Sequence, residues 1–121
     1  MSKTALVVDD STSMRQMVTF TLQSAGFTTI EGSNGVEALA VSENKSIDLV
    51  VTDLNMPEMD GITLIKNLRS KPSFKFTPIL LLTTESQDSK KQEGKAAGAT
   101  GWMVKPFNPD QLLTVVKKVV R

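Results

Sequence analysis

The chain contains no histidine, no cysteine and no tyrosine, and its aromatic residues are five Phe and one Trp among 121 residues. Each absence removes a class of chemistry. Without His or Cys there is no Ser-His or Cys-His nucleophilic pair, no His/Cys zinc site, no disulfide framework and no phosphohistidine. Net charge is nearly absent too, since 14 Lys and Arg against 13 Asp and Glu leave +1. No global field therefore draws nucleic acid or an anionic membrane. Long apolar runs are missing as well. The run Ala5-Leu6-Val7-Val8 stops at Asp9-Asp10, too short for a signal-peptide core, and nothing approaches the ~20 apolar residues that span a bilayer. The expectation is a cytoplasmic protein with neither a nucleic-acid nor a membrane partner, whose chemistry falls to carboxylates, amines, hydroxyls and backbone groups.

What is present fits one domain, residues 1–121, with enough length to bury roughly 65–70% of the unfolded surface. Short apolar, β-branched runs at 4–8, 28–31, 47–52, 78–82 and 100–104 read as strands. Leu49-Val50-Val51 and Ile79-Leu80-Leu81-Leu82 are apolar without alternation, as a strand covered by helices on both faces requires. Between the strands lie stretches with helical spacing. One starts after Ser11 or Thr12 and stops at Gly26, with Met14, Met17, Val18, Leu22 and Ala25 on one face. Others span 35–44, 61–70, 87–97 and 109–120, the last with Leu112, Val115, Val116 and Val119 as its inward stripe. Strict βα alternation predicts an α/β fold, a doubly wound (βα)5 sandwich around a five-stranded parallel sheet. Ligands in such sheets sit beyond the carboxyl ends of the strands, where the strand order reverses.

The residues just past the strands are Asp9 and Asp10 after the first, Asp53 after the third, Thr83 after the fourth and Lys105 after the fifth. A single acid in such a place is most often a helix cap or turn residue. Three acids, a hydroxyl and an amine at one edge are a constellation. Two carboxylates about 4 Å apart repel by roughly 4 kcal/mol at an intermediate dielectric, so clustered acids need protons or a cation. With no His or Cys, the site suits a hard ion on oxygen ligands, Mg²⁺ or Mn²⁺. Such an ion would let Asp53 act as a nucleophile toward a phosphoryl group, with Thr83 and Lys105 contacting its other oxygens.

The segments Val7-Val8-Asp9-Asp10-Ser11, Thr52-Asp53-Leu54-Asn55-Met56-Pro57-Glu58-Met59-Asp60-Gly61, Leu82-Thr83-Thr84-Glu85, Ala96-Ala97-Gly98-Ala99 and Val104-Lys105-Pro106-Phe107 stand in this order. Together they resemble the response-regulator receiver domains, specifically the stand-alone chemotaxis receivers of the CheY type, over essentially the whole chain. The resemblance implies the flavodoxin-like strand order 2-1-3-4-5 and no output domain. It implies Asp53 as phosphoacceptor from a chemotaxis-type histidine kinase, with Asp9, Asp10, Asp53 and the Asn55 carbonyl as the Mg²⁺ site. Thr83 and Lys105 match the signalling hydroxyl and the phosphate-binding lysine, and Lys105-Pro106 matches a bond that is usually cis. Asn55 and Glu85 match positions that tune hydrolysis of the acyl phosphate. The family's rotating aromatic is usually Tyr, Phe or His, and here it is Trp102. By resemblance, phosphorylation pulls Thr83 toward the phosphoryl group and biases Trp102 inward.

The expected activity is signalling rather than turnover of a separate substrate, although a receiver catalyses its own phosphorylation and slow dephosphorylation. Partners implied are the kinase, a motor switch protein or another protein target, and a phosphatase, with the chain itself a monomer. A phosphate-sink receiver, or a regulator of another pathway, would look the same. The alternative from another class is a flavodoxin-like nucleotide-binding module. It would need to cradle phosphate after the first strand, where Asp9-Asp10 repels it, and the chain has no GxxxxGK[ST] or GxGxxG loop. The fourth helix holds Lys90, Lys91, Lys95 and Gly94 but no large apolar anchor, so weak packing is expected there. This helix, the Trp102 strand and the last helix form the expected target face.

Overall fold

The structure is a computed structural model that describes residues 3–84, 88–106 and 108–120. Among these, strands β1 (Thr4–Val8), β2 (Thr28–Gly32), β3 (Leu49–Thr52), β4 (Ile79–Thr83) and β5 (Gly101–Val104) alternate with helices α1 (Thr12–Ser24), α2 (Gly35–Ser42), α3 (Gly61–Arg69), α4 (Asp88–Ala97) and α5 (Pro109–Val119). A 3-10 turn, Pro72–Phe74, precedes β4. All strand pairs are parallel and the order is β2-β1-β3-β4-β5, the order that the resemblance implied. No helix is long and apolar enough to cross a membrane among the described residues.

Side-chain alternation explains why the central strands are apolar at every position but a threonine at one end. Leu6, Val8, Val50, Ile79 and Leu81 point to one face, where they meet Ala38 of α2 and Leu64, Ile65 and Leu68 of α3. Ala5, Val7, Leu49, Val51, Leu80 and Leu82 point to the other, against Val18 and Leu22 of α1 and Leu112 and Val116 of α5. Each strand thus feeds two cores. The helices start where short polar side chains accept a backbone N–H: Ser11 from Met14, Asn34 from Glu37, Asp60 from Thr63 and Asn108 from Asp110.

Several boundaries and one face depart from expectation. Helix α1 ends at Ser24, because Gly26 turns the chain with φ of 96°. Its inward face is also rotated: Met17 is 49% exposed and Phe20 74%, while Thr19 and Thr21 are buried. The two threonines can be buried because their hydroxyls donate to the carbonyls of Gln16 and Met17. Helix α2 stops at Ser42, with Glu43 extended and Asn44 at φ of 60°. Strand β3 begins at Leu49, since Asp48 instead brackets the start of β1 by accepting the Thr4 N–H on its carboxylate at 2.8 Å and donating its own N–H to the Thr4 carbonyl. In α4, Gly94 is the buried residue. A Cβ there would stand 2.7 Å from Leu81 Cδ1 and 3.1 Å from Trp102 Cζ3, so glycine lets the helix lie directly on β4 and β5.

Arg69 ties this half of the molecule together. Its guanidinium donates to the carbonyls of Phe74 (2.6 Å), Thr77 (2.7 Å) and Gly98 (2.8 Å). The cation thereby joins the end of α3, the loop before β4 and the residue just after α4. Burial pushes its pKa below the ordinary arginine value, and the carbonyl dipoles compensate the desolvated charge. Arg69→Met is expected to cost on the order of 3 kcal/mol in a urea titration, since it leaves these carbonyls unpaired.

Candidate functional site

The strand order reverses between β1 and β3, and the ladder carries the chain one residue past each strand at that point. Asp9 N–H donates to Gly32 O (3.1 Å), Asp53 N–H to Val8 O (2.9 Å) and Lys105 N–H to Thr83 O (2.8 Å). Backbone bonds therefore fix these residues before their side chains interact. None of the three acids serves as a helix cap, because Ser11 and Asp60 take those positions.

Carboxylate oxygens of Asp9, Asp10 and Asp53 lie within 4.8 Å of one another. Asp9 and Asp53 are buried and Asp10 is exposed. Lys105 Nζ stands 2.7 Å from Asp9 Oδ2 and 3.4 Å from Asp53 Oδ2, so in this state the lysine is held chiefly by Asp9. The Leu54 N–H donates to Asp53 Oδ1 at 2.7 Å, and the Ser11 N–H donates to Asp9 Oδ1 at 2.9 Å. Burial raises the Asp53 pKa above the ordinary 3.8, and Asp9 adds to the rise, while Lys105, the Leu54 N–H and a hydrogen bond from Thr83 hold it down. One ammonium among three carboxylates leaves two negative charges uncompensated. Converging oxygens with excess negative charge fit a hard divalent cation.

The remaining predicted residues surround this centre at different depths. Thr83 ends β4 fully buried. Asn55 lies exposed on the loop between β3 and α3. Glu85 and Phe107 lie outside the described residues. The Lys105-Pro106 bond is cis. Trp102 is away from the acids: it pairs with Leu81 in the sheet and packs partly buried on the core face that α4 covers. Beside it, Lys91, Lys95, Ala99, Thr100 and Gly101 complete a cleft of about 330 Å³. Another cleft, about 360 Å³ and lined in part by Lys3, Asp48 and Phe76, opens near the amino ends of the strands and contains none of the site residues.

Sequence reasoning assigns no role to two residues that shape the pocket. Gly61 opens α3 so close to β3 that a Cβ would overlap the Asp53 carbonyl oxygen, while its N–H bonds Leu54 O at 2.8 Å. A glycine directly after the cap Asp60 is the only hint the sequence offers. Arg15 reaches back from α1 to the Asp9 carbonyl, Nη1 to O 2.7 Å, and its Nε bonds Glu31 Oε1 at 2.9 Å. Nothing in its spacing signals this.

Two predictions follow from these contacts. Gly61→Ala must push α3 away from Asp53, and a loss of about 2 kcal/mol in chemical denaturation is expected, as for overpacking of backbone against backbone. A raised Asp53 pKa means that the ionised carboxylate destabilises the folded state above that pKa, and that protonation relieves the penalty as pH falls. In metal-free buffer Asp53→Asn should therefore melt higher than the wild type at neutral pH, with the advantage shrinking in acid and gone below about 3.8, the unperturbed value.

Comparison with known proteins agrees with this geometry. The family described as "Response regulator receiver domain" matches residues 5–117. The chain is 39% identical to chemotaxis protein CheY-3 of Vibrio cholerae over 115 residues, covering 94% of this chain and 88% of that one. It is 37% identical to the alkaline phosphatase synthesis transcriptional regulatory protein PhoP of Bacillus subtilis, covering all of this chain and 50% of that one. The structure of Vibrio cholerae chemotaxis protein CheY4 superposes with a TM-score of 0.95 at 50% identity, covering 99% of this chain and 100% of that one. The chain, with its reversed strand order and its acids facing a lysine, belongs to the response-regulator receiver domains and closely matches their CheY-type chemotaxis members.

Proposed function

We propose that the protein receives a phosphoryl group on Asp53 from a partner histidine kinase in a Mg²⁺-dependent reaction. It then signals by binding a protein target in its phosphorylated form, in chemotaxis at the flagellar motor switch. The observation that carries the reading is the convergence of three carboxylate oxygens within 4.8 Å, with Lys105 Nζ between Asp9 and Asp53. Asp9, Asp10 and Asp53 would hold the Mg²⁺, joined by the Asn55 carbonyl as in the family. The ion supplies charge neutralisation for the nucleophile and the transferring group.

The residues themselves divide the work. Asp53 Oδ1 is occupied by the Leu54 N–H, so Oδ2, beside Lys105, forms the bond to phosphorus as the P–N bond to the donor histidine breaks and the imidazole leaves. Lys105 then exchanges Asp9 for a phosphoryl oxygen, a shift its position between the two acids prepares. Thr83, hydrogen-bonded to Asp53, turns its hydroxyl to the phosphoryl group. The chain has no histidine to activate water, and position 55 holds an amide that cannot act as a base, which favours slow hydrolysis. Asn55 and Glu85 sit where the family tunes that lifetime.

The message leaves the pocket through β4 and β5. Thr83 and Leu81 share one face of β4, Leu81 pairs with Trp102, and Trp102 lies against Gly94 of α4. Movement of Thr83 biases Trp102 inward and re-packs α4, which lies on Trp102 through Gly94. Lys91, Lys95 and the Trp102 cleft then present a basic, partly apolar surface to a target. Incubation with acetyl phosphate and Mg²⁺ tests the reading. One phosphoryl group per chain is expected, labile to base and released by hydroxylamine as an acyl phosphate is, absent with EDTA and absent in Asp53→Asn, and label that survives in Asp53→Asn would refute it. Capture with the beryllofluoride-treated protein then separates a motor target from a phosphate sink, which retains only its kinase.

A further inference from the structure

Asp9 and Asp10 share the short turn between β1 and α1, and their mutual repulsion with Asp53 pushes that turn away from the pocket. Every polar atom of Asp9 is engaged against this push. Its N–H bonds Gly32 O at 3.1 Å, its Oδ1 accepts the Ser11 N–H at 2.9 Å, its Oδ2 meets Lys105 at 2.7 Å, and its carbonyl accepts from Arg15 Nη1 at 2.7 Å. Once Lys105 turns to a phosphoryl group, the last contact is the one that holds the turn by a side chain. Arg15 is itself fixed: its side chain is only 16% exposed, and its Nε bonds Glu31 on β2 at 2.9 Å. Glu31 pairs with Val7 in the ladder, so the bridge runs from β2 through α1 to the end of β1.

The charge balance of this bridge is informative. A bare arginine beside an acidic pocket would compete with the divalent cation. Here Glu31 cancels its charge, leaving a rigid donor fork whose field at the pocket is small. We propose that Arg15, neutralised by Glu31, is a positioning residue that holds the Asp9-Asp10 turn in the geometry that binds the divalent cation. The inference rests on the reading of the pocket given under Proposed function.

Field and geometry predict opposite results, which makes the test sharp. Mg²⁺ affinity is measured by calorimetric titration of the unphosphorylated protein, alongside melting in EDTA. The double variant Arg15→Met/Glu31→Gln keeps the pair's net charge and removes the fork. Positioning predicts about ten-fold weaker Mg²⁺ binding, the scale seen when a residue that orients a metal ligand is lost. Arg15→Met alone leaves Glu31 uncompensated, so a field role predicts tighter binding and positioning predicts weaker binding. Arg15→Lys keeps the charge and loses the fork, and serves as the deciding variant if the others fail to fold: weaker binding supports positioning and unchanged binding overturns it. Wild-type affinity retained within about two-fold by the double variant also overturns the inference. A wild-type protein that binds no Mg²⁺ overturns the reading of the pocket itself, a separate outcome.

Discussion

The structure is organised around a repulsion. Three carboxylates meet at one edge of the sheet, two of them largely removed from water, and a single lysine cannot balance them. The rest of the fold works to keep them there. Ladder hydrogen bonds extend past β1, β3 and β5 to fix the backbones of Asp9, Asp53 and Lys105. Gly61 brings α3 against the Asp53 carbonyl, and the apolar residues on the two faces of β1, β3 and β4 anchor the strands in separate cores. The site is strained electrostatically and braced mechanically, an arrangement that fits the divalent cation and phosphoryl group proposed for it.

The same arrangement explains how one added group could be read at a distance. Lys105 lies 2.7 Å from Asp9 and 3.4 Å from Asp53, so its preference can invert when charge is added on Asp53. Thr83 is bonded to Asp53 and stands above Leu81 and Trp102 in the β4 and β5 register. Helix α4 meets Trp102 through Gly94, and Gly98, one turn further on, is clamped by Arg69, so both contacts lie toward its C-terminal end. A helix held toward its C-terminal end, with residues 88–93 exposed, is suited to pivot.

Much of this was legible in the sequence, for identifiable reasons. Strands buried on both faces must be apolar throughout, so Leu49-Val50-Val51 and Ile79-Leu80-Leu81-Leu82 declared themselves. Parallel βα units put strand ends on one edge, so Asp9, Asp10, Asp53, Thr83 and Lys105 could be grouped before any coordinates. Hydrophobic periodicity failed on α1, where Thr19 and Thr21 are buried with their hydroxyls satisfied by the preceding turn and Met17 faces outward. It was also silent about Arg15 and Arg69: Arg69 binds backbone carbonyls, and Arg15 binds one carbonyl and Glu31, an acid sixteen residues away, so neither leaves a local pattern of partner side chains. The need for glycine at 61 and 94 arises only when a helix meets a strand at close range.

The central claim is that Asp53, and not a neighbouring acid, accepts the phosphoryl group. Reduction of the phosphorylated protein with borohydride converts an aspartyl phosphate to homoserine, and peptide mass mapping locates the change. The account predicts homoserine at position 53 with Asp9 and Asp10 unaltered. Homoserine at position 9 or 10, or no conversion at position 53 in a protein that carries label, would contradict it.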